Sequence, residues 1–104
     1  MRIAFASAAS ARMFSELRLL TDAFGPEVAY KLANRLSLLS AADNLALVPT
    51  SPPIGCRTLD GEGTRFAVSV SENLRLVFMA DGADGSAAGL SKITAIEIGG
   101  VEKL

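Results

Sequence analysis

The stretch RFAVSVSENLRLVFM, residues Arg65–Met79, decides the fold. Phe66, Val68 and Val70 alternate with Arg65, Ala67, Ser69 and Ser71. After the polar pair Glu72-Asn73 the alternation resumes, with Leu74, Leu76 and Phe78 set against Arg75, Val77 and Met79. Successive side chains of a β-strand point to opposite faces, so a period of two marks a half-buried strand. Two such runs about a short polar turn predict an antiparallel hairpin. Its six large apolar side chains share a core face. Arg65, Ser69 and Arg75 share the other, which leaves a face free for chemistry.

Upstream, Arg2 to Ala6 predicts a first strand with Ile3 and Phe5 inward. Ser7 and Ser10 are each able to cap a following helix. From Ala11 the spacing of Phe14, Leu17, Leu20 and Phe24 predicts one helix with one apolar face. Gly25-Pro26 ends it and opens another. The second helix is expected from Pro26 to about Ala46. Val28, Leu32, Leu36 and Leu39 form its stripe, with Ala29, Ala33 and Ala42 beside it and Glu27-Lys31 as an exposed pair. The proline-rich run Pro49–Pro53 predicts an extended connector. Cys56 to Asp60 is then a short strand, and Gly61-Glu62-Gly63 a turn. Asp81 to Gly89 is a loop, and Lys92–Ile98 the last strand. The fold class is therefore α+β: an N-terminal strand and a helical hairpin packed on one face of a twisted, mainly antiparallel sheet, in a single domain spanning residues 1–104.

Composition bounds the chemistry. Half of the 104 residues are hydrophobic, so a packed core is expected. A net charge of −1 sets up no overall field toward nucleic acid or an anionic membrane. There is no histidine, which removes Ser-His-Asp and Cys-His catalysis and histidine metal sites. The lone cysteine, Cys56, forms no internal disulfide, lacks an activating base and is expected to be a small buried or half-buried residue. One soft ligand is too few for zinc. The Asp81–Gly89 loop lacks the acid spacing and closing glutamate of a calcium loop. No run reaches the roughly 18 apolar residues of a membrane span, and a cytoplasmic protein is expected.

Three arginines stand out: Arg57, Arg65 and Arg75. All fall on expected strands, and Arg65 and Arg75 share the face opposite the core. Arginine is permanently charged and binds phosphate bidentately, so such a face suits an RNA backbone. The plainer account pairs them with Asp60, Glu62 or Glu72 on a solvated surface. For the acids Asp60, Glu62, Asp81 and Asp84 a role in turns is favoured over catalysis. Tyr30 is expected to pack with its hydroxyl at the surface. Arg12, Arg18, Lys31 and Arg35 are expected to be scattered in solvent.

The runs LANRLSLLSAADNLALVPTSPP, CRTLDG, TRFAVSVSENLRLVF and SKITAIEIGGVEKL, in that order, resemble the RelE/ParE toxin superfamily, in its HigB-like (plasmid maintenance killer) branch. The resemblance covers residues 26–104 and is most specific at Leu74-Arg75-Leu76-Val77-Phe78. It implies a RelE-like fold and the toxin of a type II toxin–antitoxin module. Such a toxin is a metal-independent mRNA interferase, an endoribonuclease that cuts mRNA in the ribosomal decoding site with the 2′-hydroxyl as nucleophile. It also implies growth inhibition, no cofactor, and a cognate antitoxin, a helix-turn-helix protein encoded beside it. Arg75 carries over directly. Arg57 stands where the family has histidine, and Asp60 where it has lysine. The tail keeps an acid, Glu102, but has Lys103-Leu104 in place of tyrosine and histidine. The assignment that follows makes Arg75 and Arg57 catalytic, and Arg65 and Lys103 RNA-binding. The alternative is a catalytically degenerate protein of the same fold that acts only through protein–protein binding. A third reading is an unrelated α+β domain with a ligand groove, which a first strand outside the sheet would favour.

Overall fold

The computed structural model describes residues 1–59, 64–80 and 87–104. The expected Gly61–Gly63 turn, and with it Asp60, Glu62, Asp81 and Asp84, lie outside them. The hairpin is present as β3 (Arg65–Ser71) and β4 (Leu74–Ala80). They pair antiparallel from Arg65↔Met79 to Ser69↔Arg75, with a register shift between Ser69 and Ser71. Phe66, Val68, Val70, Leu76 and Phe78 are all buried in the core. The Phe66 and Phe78 rings, directly opposite in register, stack at 5.8 Å between centroids. Each large side chain so buried contributes about 1.5–3 kcal/mol relative to exposure.

The first strand, β1 (Arg2–Phe5), joins the sheet. It runs parallel to the last strand, β5 (Ala95–Lys103), in the register Arg2↔Ala95 to Phe5↔Ile98. A two-residue strand, β2 (Arg57–Thr58), pairs with β3 at the far edge. The five strands lie in the order β1-β5-β4-β3-β2, parallel only between β1 and β5. The expected mainly antiparallel α+β sheet is thus present.

The last strand differs from its expected span. It begins at Ala95 and runs to Lys103. Gly99-Gly100, just past the expected end at Ile98, instead lies inside it, where the β4–β5 register shifts between Val77 and Phe78. Glycine tolerates such an irregularity because it lacks the Cβ that would crowd the partner backbone. A Cβ on Gly99 would already touch the Val77 carbonyl at 3.4 Å.

The helices cover one face. The single helix expected from Ala11 is two: α1 (Ala8–Ser15) and α2 (Leu17–Phe24), broken at Glu16 with extended dihedrals of −128° and 113°. Ser7 caps α1 by accepting from the Ser10 amide, so Ser10 lies within the helix rather than before it. At its end the Ser15 hydroxyl donates back to the Arg12 carbonyl, a local bond that competes with helix continuation. The break lets Phe14 stack on Phe5 of β1 at 5.8 Å while Leu20 packs in the core. It also turns Leu17 outward, 43 % exposed, against the expected single stripe. Gly25, with φ of 87°, makes the corner into α3 (Pro26–Ala41), where Pro26 occupies the first turn.

Helix α3 buries Ala29, Leu32, Arg35 and Leu39. It stops at Ala41, short of the expected Ala46, and Leu45–Leu47 form a separate 3₁₀ turn. Glu27 and Lys31 approach to 3.7 Å in the exposed pair anticipated for them. Tyr30, expected to pack, is 68 % exposed. The proline-rich connector is folded into a turn rather than extended: Gly55 donates its amide to the Ser51 carbonyl and Cys56 to that of Pro49. Ala87–Leu90, which overlaps the end of the expected Asp81–Gly89 loop, forms a short helix, α4. No described helix is long and apolar enough to cross a membrane.

Candidate nucleic-acid interface

The strand alternation that buries Phe66 to Phe78 under the helices directs Arg65, Ala67, Ser69, Arg75, Val77 and Met79 to the opposite face. Register extends that face outward. Arg57 is paired with Ala67, so it points the same way from β2. Glu102 is paired with Arg75, so it points the same way from β5. Lys103, paired with Leu74, has the other parity. The structure therefore brings Arg57, Arg65 and Arg75 together and leaves Lys103 out.

The row across this face can be followed bond by bond. Arg57 donates through Nη1 to the Gly55 carbonyl at 2.9 Å and to Ser69 Oγ at 3.3 Å. Ser69 stands opposite Arg75 in register. Arg75 donates through Nη2 to Glu102 Oε1 at 2.9 Å, and Arg65 through Nη2 to Glu102 Oε2 at 3.2 Å. Arg65 sits two strands from Glu102, so its side chain crosses β4 at Val77. That residue is only 4 % exposed although it belongs to the face away from the helices. The side chains of Arg65, Arg75 and Glu102 remain 43 %, 26 % and 41 % exposed. Arg75 Nε is buried and has no hydrogen-bond partner among the described residues.

Arg65 and Arg75 are thus paired with Glu102, an acid outside the expected set; Glu72 makes no ion pair among the described residues, and Asp60 and Glu62 lie outside them. Glu102, noted in the sequence only as the tail acid, was not expected beside the arginines because it lies past the expected end of the strand at Ile98. Arg57 has no carboxylate partner among the described residues. Beside the pairs lies an open concavity of about 340 Å³ lined by Arg65, Val77, Met79, Gly100 and Glu102.

Two further residues frame the site. Arg35, expected in solvent, is 8 % exposed and reaches from α3 to the sheet. Its Nε donates to the Ser69 carbonyl at 2.7 Å and its Nη1 to Asn34 Oδ1 at 2.7 Å. The signal was in the spacing: Val28, Leu32, Arg35 and Leu39 are separated by four, three and four, which sets Arg35 on the buried stripe. Cys56 is half-buried, and burial pushes its thiol from 9.0 up to about 11, partly offset by the neighbouring Arg57 charge. It is an inert thiol at neutral pH.

Chemically the face offers permanent positive charge and hydrogen-bond donors, with the Glu102 carboxylate in the arginine pairs and Glu97, paired with Met79, further along β5. It has no histidine to exchange protons near neutrality. Among the described residues no group of three or more acidic, cysteine or histidine side chains is arranged to hold a metal ion. Comparison with family models, with curated proteins and with solved structures finds no match to this chain.

Proposed function

We propose that the chain is the toxin of a type II toxin–antitoxin module, a RelE/HigB-like protein whose uncovered sheet face contacts mRNA on the ribosome. The observation that carries this reading is the convergence of Arg57, Arg65 and Arg75 on the face opposite the buried core, away from helices α1 to α3. The order strand, helices, antiparallel strands, with the first strand beside the last, agrees with the RelE-like resemblance. Arg75 and Arg57 stabilise charge at the scissile phosphate, and Arg65 holds the backbone. Without histidine the proton transfers are poorly served, so cleavage is weaker than in relatives with a full acid–base set. The neutralising partner is a helix-turn-helix antitoxin encoded beside it. Induced expression is expected to arrest growth and to cut translated mRNA, and Arg75→Ala to abolish both. Unaffected growth together with an inconsequential Arg75→Ala would sink the proposal.

A second reading is favoured by one observation: Glu102 already occupies both Arg65 and Arg75. On that reading the fold has lost catalysis and acts only by binding a partner protein. Co-expression with the neighbouring gene's product separates the two. A stable complex with no RNA cleavage, with or without ribosomes, supports the binding role.

A further inference from the structure

We propose that Glu102 is the resident occupant of a phosphate seat, and that a phosphodiester of single-stranded RNA docks between Arg65 and Arg75 by displacing its carboxylate. This rests on the reading of the face as one that contacts RNA, and adds how the face is kept closed.

The geometry is that of a stand-in. Each oxygen of Glu102 takes one guanidinium Nη2, Oε1 from Arg75 and Oε2 from Arg65. The two non-bridging oxygens of a phosphodiester carry one negative charge between them, as the carboxylate does, and can accept from the same two donors. Two guanidinium groups against one carboxylate leave a net positive charge at the clamp. The acid also leaves donors unused. Arg75 offers Glu102 only Nη2, while its Nε–H has no partner among the described residues. Because Nε is buried while Glu102 is in place, the two phosphate oxygens can take Nε–H and Nη2–H side-on only as the carboxylate leaves, in the bidentate mode guanidinium favours.

The clamp is also built to open. All three side chains keep partial access to solvent, and ion pairs so exposed hold weakly because water competes for both partners. The concavity over Val77 adjoins the pair, bordered by Gly100, which has no side chain to fill it. The displaced carboxylate swings from the strand end into water, and the strand uses only backbone groups to pair with β4. The seat is therefore self-masked: the acid lowers affinity for every anion and is overcome by a strand that makes several phosphate contacts at once.

The test is direct binding of a short single-stranded RNA to the purified chain, by fluorescence anisotropy across a salt series. Glu102→Gln keeps the side-chain shape and removes the competing charge. It is expected to tighten binding by about tenfold and to steepen the salt dependence by roughly 0.7 per additional phosphate neutralised. Adding Arg75→Ala to Glu102→Gln should cancel the gain. Inorganic phosphate at matched ionic strength distinguishes the source: competition at millimolar levels marks a general phosphate seat, and its failure one that needs a strand. Equal or weaker RNA binding by a folded Glu102→Gln protein overturns the proposal. Should that variant fail to fold, the wild-type protein decides. Titration with RNA must shift the Glu102 side-chain carboxyl resonance, and an unmoved resonance at the highest RNA concentration overturns the proposal. Neither readout involves growth arrest or cleavage. A self-masked seat in a non-toxic protein and a toxin without masking are therefore separate results.

Discussion

The Nε–H of Arg35, on helix α3, donates to the backbone carbonyl of Ser69, on strand β3, at 2.7 Å. This single bond ties the helical layer to the strand at its register shift, directly behind the residue that faces Arg75. Replacing it by Arg35→Met keeps the apolar stem and leaves the carbonyl without its donor. The expected loss is about 1.5–3 kcal/mol, the range for a hydrogen bond to a charged group. Urea denaturation of the variant checks it, and a loss well below 1 kcal/mol, roughly the worth of a neutral bond, would show that water replaces the guanidinium.

Phe78 carries no solvent exposure and stacks on Phe66 across the hairpin. Phe78→Ala empties a fully buried place in the core and is expected to cost about 3–5 kcal/mol. Domains of this size are stable by only about 5–15 kcal/mol, so the variant should be close to unfolding at 37 °C. Thermal melting followed by circular dichroism gives the answer. Met79→Ala, at a position 46 % exposed on the same strand, should melt near the wild type.

Burial holds the Cys56 thiol at about 11 against 9.0 unperturbed. Its alkylation at pH 8 should therefore be slower than that of an exposed thiol by on the order of a hundredfold. The raised value means that the folded state keeps its proton longer than the unfolded one. The associated stability is complete below pH 9.0 and declines as pH rises toward about 11. Because the Arg57 charge favours the thiolate, Arg57→Ala should push the onset of alkylation to higher pH. Iodoacetamide labelling against pH, read by mass spectrometry, measures both effects.

Arg57 and Lys103 both suit RNA by charge, yet they occupy different sides of the sheet. Arg57→Gln should weaken binding of a single-stranded RNA and lower the salt slope by roughly 0.7, the share of one phosphate. Lys103→Gln should leave the slope within error. A larger effect from Lys103 would mean that RNA reaches the strand end from the helical side.

What was legible in the sequence follows from how strongly each feature is tied to burial. The hairpin could be read because one of its faces is wholly apolar, and a slip of one residue would expose all of it. That same alternation assigned Arg65 and Arg75 to one face. The clamp could not be read, because Glu102 becomes their neighbour only if β5 continues through Gly99-Gly100, and glycines in a strand look like its end. The break at Glu16 was equally silent: no proline or glycine marks it, and it goes with the Ser15 bond to the Arg12 carbonyl and the packing of Phe14 on Phe5. Arg35 was misread by residue type, although its position on the stripe was correct for burial.

Strand β1 has one neighbour in the sheet, and that neighbour is β5. A chain emerging from the exit tunnel offers Arg2–Phe5 long before Ala95–Ile98 exist to receive them. The opening segment must therefore wait, held at most by α1 and α3, until β5 has been made. A protein built this way acquires its finished sheet, and with it Glu102 between the arginines, only once β5 is free of the ribosome to receive β1.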